Sequence, residues 1–465
     1  MFIKKITIKN FRLFKHDNTF SVPALNTPDG VNPGSGLNAF LSENGCGKTS
    51  LLDAITLPLL EYKADSITVD DFNSPDNKIT VKLFSEEDFS YDGTMPRVTY
   101  KGQGFEFEAG LRSRESSSYL SSIVVHDQRF IRADGETKPE NGKPDLRLKV
   151  NNPWKGSRFS ENDVLYLDKN RTFQIRSGTY NSTRFDRLMG DYNYRHIKEN
   201  SPISDLDTDL KDKIFSFENA YLKQAFEKFE EIYGDKLSLN LINNFAPFGN
   251  AFFGLKRDNK HQIGISRIGS GYEMIFTLLY SYYMAQQSGK QLILLIDEPE
   301  LHLHPGIQEQ FASLLLEFSK TAQIFITSHS PIFVKEIMVN DEVQVKTLIK
   351  DGDDVKESDP QDSKLPYVSA NEVNYVAFQF STEEYHNELY EELFSKHATR
   401  VGIKNFDIDY FQGTKSEQPS YSWMSNANQV SLHTYLRNQI HHRASCGIAS
   451  QVDLKKSIEA MRGYL

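Results

Sequence analysis

The chain opens with a stretch in which apolar and polar residues alternate, and it later contains two short, continuously apolar runs. Residues 3–8 alternate at period two, which predicts a β-strand. The runs LILLID and QIFITS are typical of strands buried on both faces of a parallel sheet. Between them, GIQEQFASLLLEFSK has apolar residues at helical spacing. The pattern therefore predicts a strand–helix–strand crossover in an α/β protein.

The patterning divides the rest of the chain into regions. Residues 62–180 contain ITVKLFS, FEFEAG and SSIVVHD, whose alternation predicts an antiparallel β section. Residues 181–245 are charge-rich with helical spacing and predict a helical lobe. Residues 346–465 are predicted to begin with an acidic linker, IKDGDDVKESDPQDSK, and to continue as helices. We therefore predict a head with a mixed sheet, formed by residues 1–180 and 246–345, a helical lobe at 181–245, and a helical C-terminal region at 346–465.

A glycine-rich loop stands between an apolar segment and a predicted helix. Residues 41–52 read LSENGCGKTSLL. Gly45 and Gly47 allow the backbone to turn its N–H groups towards a phosphate chain, and Lys48 adds a positive charge. The Thr49 hydroxyl is suited to Mg²⁺. The first glycine of the phosphate-loop pattern is replaced by Ser42, which fits only if the backbone there does not need a glycine conformation. The predicted nucleotide-binding residues are Asn44, Gly45, Cys46, Gly47, Lys48, Thr49 and Ser50.

Further candidate residues follow the apolar runs. Asp297 ends LILLID and Glu298 follows it directly. The first carboxylate is suited to holding Mg²⁺ and the second to polarising an attacking water. His329 follows the next apolar run, at a position suited to sensing a terminal phosphate. Ser270 and Gly271 precede an apolar helical stretch and predict a second small anion cradle.

Composition narrows the functional class. The net charge of −10 disfavours a chain that coats nucleic acid through its overall field. The two cysteines, Cys46 and Cys446, imply no disulfide scaffold and fit a reducing cytoplasm. No apolar run approaches about 18 residues, so we expect no membrane contact.

The motif order SENGCGKT, GSGYE, LLIDEPE, LHLHP and TSHSP resembles the ATP-binding cassette family. ITIKNFRLF and EPELHLHP are similar to the RecF and OLD-type ATPases of its soluble branch. The absence of sustained heptads disfavours the SMC group. The resemblance implies ATP and Mg²⁺ as cofactors and homo-oligomers, either ATP-sandwiched dimers or larger. The implied roles are phosphate and Mg²⁺ binding by Lys48 and Thr49, Mg²⁺ binding by Asp297 and Gln128, catalysis by Glu298, switching by His329, action in trans by Ser270 and Gly271, and approach to the nucleotide by Arg12.

The tail SLHTYLRNQIHHR resembles the C-terminal end of the Septu antiphage ATPase subunit and its retron relatives. That resemblance implies a separate HNH nuclease as partner, and contact with DNA through the complex. DGDD, residues 351–354, is interpreted as a solvated loop, which argues against the nuclease domain of OLD proteins. Two alternatives remain open. One is a RecF-type repair ATPase that binds DNA directly. The other is an ATP-gated ribonuclease, because Arg437, Asn438 and His442 fit R-N-x-x-x-H, a pattern resembling the HEPN motif; the competing interpretation of these residues is a docking helix.

Overall fold

The computed structural model describes residues 2–15, 17, 19–60, 67–92, 98–111, 119–126, 129–132, 137–138, 145–149, 162–169, 220–240, 252–256, 262–264, 269–287, 289–423, 429–443 and 447–465. Gln128 and most of the predicted helical lobe, residues 181–219, lie outside the described residues.

The described strands, in chain order, are β1 (Lys5–Lys9), β2 (Phe20–Val22), β3 (Leu37–Leu41), β4 (Ile79–Asp92), β5 (Val98–Leu111), β6 (Tyr119–His126), β7 (Arg129–Arg132), β8 (Thr137–Lys138), β9 (Asp145–Lys149), β10 (Asn162–Leu167), β11 (Leu237–Asn240), β12 (Phe252–Lys256), β13 (Gln262–Gly264), β14 (Gln291–Asp297), β15 (Gln323–Ser328), β16 (Gln344–Asp351), β17 (Asp354–Ser358), β18 (Tyr421–Ser422) and β19 (Gln429–Val430). The described α-helices are α1 (Lys48–Leu59), α2 (Ala220–Tyr233), α3 (Ser270–Gln287), α4 (Pro305–Phe318), α5 (Pro331–Met338), α6 (Ala370–Phe378), α7 (Glu383–His397), α8 (Ile403–Phe406), α9 (Leu432–His441) and α10 (Gln451–Tyr464).

A six-stranded sheet with the order β10-β14-β15-β3-β16-β17 forms the centre of the head. Its neighbouring strands run parallel except at the β16–β17 edge. The predicted crossover is confirmed, because β14 and β15 pair in parallel and α4 connects them. Both strands are almost wholly buried, as expected for continuously apolar runs. The carboxyl ends of β3, β14 and β15 therefore lie along one edge of the sheet.

An antiparallel sheet, with the path β2-β1-β4-β5-β6-β9, confirms the predicted β section. Helix α1 lies between this sheet and the six-stranded sheet. Its apolar residues share one core with β1, β4 and one face of β14, including Leu51, Ile55, Ile8, Val81 and Leu295. The opposite face of β14 packs on α2, α3 and α4 in a second core. Since α1 begins at the phosphate loop, both sheets fix the position of that loop.

The C-terminal region differs from its prediction at the start and agrees afterwards. The predicted acidic linker is wrong. Residues 344–358 form the hairpin β16–β17, and β16 pairs in parallel with β3. The sequence DGDD is the hairpin turn, in which Gly352 has a φ of 65°. The predicted helices are confirmed as α7, α9 and α10. Helices α7 and α10 contribute buried residues to a third core, and Ile440 of α9 packs against it. In the part of the chain that the structure describes, no helix is long and apolar enough to cross a membrane.

Candidate functional site

The loop between β3 and α1 turns sharply at two glycines. Gly45 has a φ of 79° and Gly47 a φ of 89°, in the left-handed region that favours glycine. Ser42 does not have a positive φ, so the residue that departs from the phosphate-loop pattern occupies an ordinary backbone conformation. Serine is accommodated at this position without strain. Of the other predicted loop residues, Cys46 and Ser50 are buried and Asn44 is exposed.

The Lys48 side chain folds back over this loop. Its Nζ donates to the carbonyl oxygen of Ser42 at 2.8 Å and to that of Glu43 at 3.1 Å. Burial lowers the pKa of Lys48, while the nearby Glu298 carboxylate acts in the opposite direction. A buried ammonium group held by neutral carbonyl oxygens is suited to exchange them for phosphate oxygens.

Thr49 and Asp297 meet although 248 positions separate them in the sequence. The Thr49 hydroxyl donates to Asp297 Oδ2 at 2.8 Å, and the Thr327 hydroxyl donates to Asp297 Oδ1. Burial raises the pKa of Asp297, whereas these two hydrogen bonds lower it. A hydroxyl and a carboxylate in contact beside a buried lysine offer the hard oxygen ligands that Mg²⁺ prefers, so these residues fit the implied Mg²⁺.

Glu298 and His329 lie together at the same edge. Glu298 has a φ of 47°, and its backbone N–H donates to the carbonyl oxygen of Thr327 at 3.1 Å. His329 Nδ1 lies 3.3 Å from Glu298 Oε1. Among the described residues, Nδ1 makes no hydrogen bond. A left-handed glutamate is uncommon, and the turn directs the chain out of β14 immediately after Asp297.

Glu300 belongs to this cluster, although its position in the sequence does not mark it as a site residue. Its Oε1 accepts the backbone N–H of His329 at 2.9 Å and lies 3.8 Å from His329 Nδ1. Burial raises the pKa of Glu300, and the His329 N–H bond lowers it. The only sequence signal was the second glutamate of the E-P-E triplet, because its contact with the next strand is tertiary.

Comparisons with known proteins are consistent with this geometry. Residues 141–334 match the sequence model of the family described as AAA ATPase domain. This match covers the segments around Gly271, Asp297 and His329, but not the phosphate loop. The head has a mixed α/β fold with a phosphate loop between β3 and α1, as in P-loop ATPases.

Two curated relatives have low identity to the chain. An OLD nuclease of Thermus scotoductus (strain ATCC 700910 / SA-01) is 23% identical over 376 residues, which is 76% of this chain and 63% of that protein. Protein ea59 of Escherichia phage lambda is 22% identical over 319 residues, which is 66% of this chain and 47% of that protein. The chain thus spans less than two thirds of the length of these relatives.

Solved SMC heads are also similar. An SMC head bound to the C-terminal winged-helix domain of ScpA is 16% identical with a TM-score of 0.43, covering 77% of this chain and 97% of that chain. The SMC head domain from Thermotoga maritima is 14% identical with a TM-score of 0.38, covering 78% of this chain and 100% of that chain.

Arg12 lies beside α1 and forms hydrogen bonds with two carboxylates. Its Nε donates to Asp71 at 2.8 Å and its Nη1 donates to Asp53 at 2.6 Å. Burial alone would lower the pKa of Arg12, but the two carboxylates raise it. Since Asp53 lies one turn after Thr49 on α1, Arg12 fixes the helix that carries the phosphate loop. The structure thus places the Arg12 guanidinium on these carboxylates.

The second anion cradle predicted from GSGYEM lies at the start of α3. The helix begins at Ser270, earlier than the sequence pattern indicated. Gly271 is buried against the segment that follows the acidic pair, and a Cβ built on it would lie 2.3 Å from the carbonyl oxygen of His302. The cradle is therefore packed against the chain that leaves Glu298. The predicted metal ligand Gln128 lies outside the described residues.

The residues of the R-N-x-x-x-H pattern come together in the C-terminal region. Arg437 and Asn438 belong to the last turns of α9, and His442 follows the end of that helix. All three line one cavity of about 390 Å³.

In the part of the chain that the structure describes, no group of three or more His, Cys, Asp or Glu side chains is arranged to hold a metal ion.

Proposed function

We propose that this chain is the ATP-binding regulatory subunit of a Septu-like antiphage defence system and that it controls a separate HNH nuclease. The contact between Thr49 and Asp297 carries the nucleotide part of the proposal. Their 2.8 Å hydrogen bond brings the helix after the phosphate loop to the end of β14, beside the buried Lys48. That arrangement is what binding of a nucleotide with Mg²⁺ requires.

ATP with Mg²⁺ would supply the phosphoanhydride bond and neutralise its charge. Lys48 would bind the outer phosphates, and Thr49 and Asp297 would hold the metal ion. Glu298 would orient a water molecule towards the terminal phosphate and accept its proton, while the bond between that phosphate and the leaving ADP breaks. His329 would contact the terminal phosphate, and Glu300 positions His329 by accepting its backbone N–H. The same residues are compatible with slow turnover and with sensing of ATP alone.

The regulatory part of the proposal concerns other chains. The resemblance implies that Ser270 and Gly271 clasp a nucleotide bound by a second copy. The C-terminal region is the proposed nuclease-binding region, and four large apolar side chains exposed there support docking of another protein: Phe380, Val401, Ile448 and Val452, which are 57%, 95%, 79% and 78% exposed. The similarity to an OLD nuclease supports the ATPase class.

The first test is the Glu298→Gln variant. Removing the proton acceptor while keeping its shape should leave ATP binding intact and lower kcat by about a hundredfold or more. ATP binding and single-turnover hydrolysis are measured separately. Glu309→Gln, on the exposed face of α4, is the matched control and should retain activity. Lys48→Ala should lose ATP binding. Unchanged turnover in Glu298→Gln would remove Glu298 from the mechanism.

The second test is purification of the chain with its native operon, followed by mass determination with and without ATP and Mg²⁺. We expect a complex containing several copies of the 53.3 kDa chain and a smaller HNH protein. The Lys48→Ala variant is the control for nucleotide dependence. A nucleotide-dependent dimer that carries no second protein would contradict the nuclease-control proposal while leaving the ATPase proposal standing.

A further inference from the structure

The cavity beside α9 has a lining that neither the head nor the proposed function uses. It is an open pocket of about 390 Å³ between the start of α8 and the C-terminal turn of α9. Its lining includes Lys404, Trp423, Arg437, Asn438 and His442. This volume is within the range of small-molecule sites in proteins. None of the five lining residues takes part in the phosphate-loop site.

Asn438 is the most informative residue of the lining. It is 3% exposed, yet neither its side-chain nitrogen nor its side-chain oxygen has a hydrogen-bond partner among the described residues. Its backbone carbonyl accepts the N–H of His442 at 2.9 Å, which fixes it on the helix. Buried amides are rarely left unpaired in folded proteins, so this one indicates a missing ligand. An amide side chain pairs best with an adjacent donor and acceptor, as on the edge of adenine.

Two cations line the same cavity without an ion pair. In the described part of the chain, neither Arg437 nor Lys404 has a carboxylate within 4.0 Å. Burial lowers the pKa of Arg437, with Tyr390 and Glu391 acting in the opposite direction. By contrast, Arg443, which lies just after the end of α9, is paired with Glu383. Unpaired cations at a cavity are suited to a phosphate group.

Trp423 completes the lining with a flat aromatic face. Indole rings stack on nucleobases irrespective of sequence, because every base has a π-face. The cavity thus combines an aromatic plane, an amide that needs a donor and an acceptor, and two cations that need an anion. A nucleotide has all three complementary groups.

We propose that this cavity is a second nucleotide site, in which the base lies between Trp423 and Asn438 and the phosphate binds Arg437 and Lys404. The ligand is either a free nucleoside monophosphate or one nucleotide of a single strand. The proposal concerns binding and is independent of the ATP site in the head.

The test uses the tryptophans of the chain, of which there are two, Trp154 and Trp423. A Trp154→Phe, Lys48→Ala protein reports Trp423 fluorescence alone and lacks ATP binding at the head. We expect saturable quenching by adenosine monophosphate or by a short single-stranded adenine oligonucleotide. Binding of the mononucleotide identifies a free ligand, and binding of the oligonucleotide alone identifies a strand.

Substitutions in the same background locate the site. Lys404→Ala and Arg437→Gln should each weaken binding about tenfold. The matched controls Lys455→Ala and Arg443→Gln change exposed cations outside the lining and should not alter binding. Asn438→Leu keeps the shape of the side chain and removes an unpaired amide, so the protein should melt no lower while its affinity falls.

If neither the mononucleotide nor the oligonucleotide quenches the Trp423 fluorescence saturably, the proposal is overturned. Equal quenching in Lys404→Ala and Lys455→Ala would also overturn it, because the signal would then not come from this cavity. The Trp154→Phe protein with Lys48 intact is the comparison. If quenching occurs in that protein and is lost when Lys48→Ala is added, the signal belongs to the head and a second site is rejected.

Discussion

At the scale of single residues, the site is built from atoms whose contacts the sequence does not show. Ser42 appeared as a departure from the phosphate-loop pattern, and it has an ordinary backbone conformation. Its carbonyl oxygen accepts a hydrogen bond from Lys48 Nζ at 2.8 Å, so Ser42 helps to position the lysine side chain. The left-handed conformations lie at Gly45 and Gly47 instead. Glycine is required only where φ is positive.

Gly271 shows a steric requirement of another kind. A Cβ at this position would lie 2.3 Å from the carbonyl oxygen of His302, which is a backbone atom. Gly271→Ala must therefore push α3 away from the segment after Glu298. We expect a loss of about 1–3 kcal/mol in the free energy of unfolding. Gly269→Ala is the control, because no heavy atom lies within 4 Å of its built Cβ. The measurement is the apparent melting temperature, and equal melting of the two variants would contradict the packing argument.

At the scale of elements, the strongly acidic sequence of the hairpin β16–β17 predicts a linker, whereas the structure forms two paired strands there. The acidic residues are matched by cations: Lys346 pairs with Glu357 at 3.5 Å and with Asp359 at 2.6 Å. The strand is held by backbone bonds to β3, which local charge does not reveal. Tertiary pairing thus outweighed local propensity in this segment.

Helices α7, α9 and α10 are joined by a buried hydrogen-bond chain. His386 Nε2 lies 2.9 Å from Ser457 Oγ, which lies 2.6 Å from His433 Nδ1. Burial, followed by the neighbouring His433, lowers the pKa of His386 to about 3. His386 is therefore neutral in the folded protein at pH values at which the unfolded chain protonates it.

This shift predicts the direction of a pH dependence. Between pH 6.5 and about 3, His386 is protonated in the unfolded chain but not in the folded protein. The stability linked to His386 is therefore fully present above pH 6.5 and falls as the pH is lowered. The slope contributed by His386 approaches about 1.4 kcal/mol per pH unit. His386→Asn should reduce the fall in melting temperature between about pH 6.5 and pH 5. His397→Asn, at an exposed position of α7, should not reduce it. Parallel pH profiles of His386→Asn and the unmodified protein would contradict the assignment.

At the scale of the whole molecule, α1 connects the two halves of the head. Its apolar residues pack between the two sheets. Asp53 on the same helix forms an ion pair with Arg12, which also forms an ion pair with Asp71. Burial raises the pKa of Tyr166, and Asp53 acts in the same direction. These contacts come from segments far apart in the sequence, so the phosphate loop has its position only in the complete head.

The charge of the chain predicts its behaviour towards DNA. With a net charge of −10, the isolated chain should bind duplex DNA no more tightly than a Kd of about 1 μM at physiological salt. The measurement is an equilibrium titration at several salt concentrations, with and without ATP. A tighter complex whose affinity falls steeply with salt would favour direct DNA binding of the RecF type.

The sequence by itself determined the α/β class, the crossover around β14 and β15, the antiparallel section, and three C-terminal helices. These features follow from local periodicity, which burial on one or both faces imposes on neighbouring residues. The sequence also identified Lys48, Thr49, Asp297, Glu298 and His329 as candidates, because each follows a strand or a glycine turn. These elements and candidate residues can be identified from short stretches of chain.

Only the tertiary structure decided which of these residues meet and what supports them. The Thr49–Asp297 contact, the carboxylate of Glu300 under His329, and the two carboxylates around Arg12 join segments from different strands and helices. The hairpin β16–β17 and the cavity around Asn438 were likewise set by packing. Local pattern fixes which face of an element is buried, but the partner of that face is chosen by the fold as a whole.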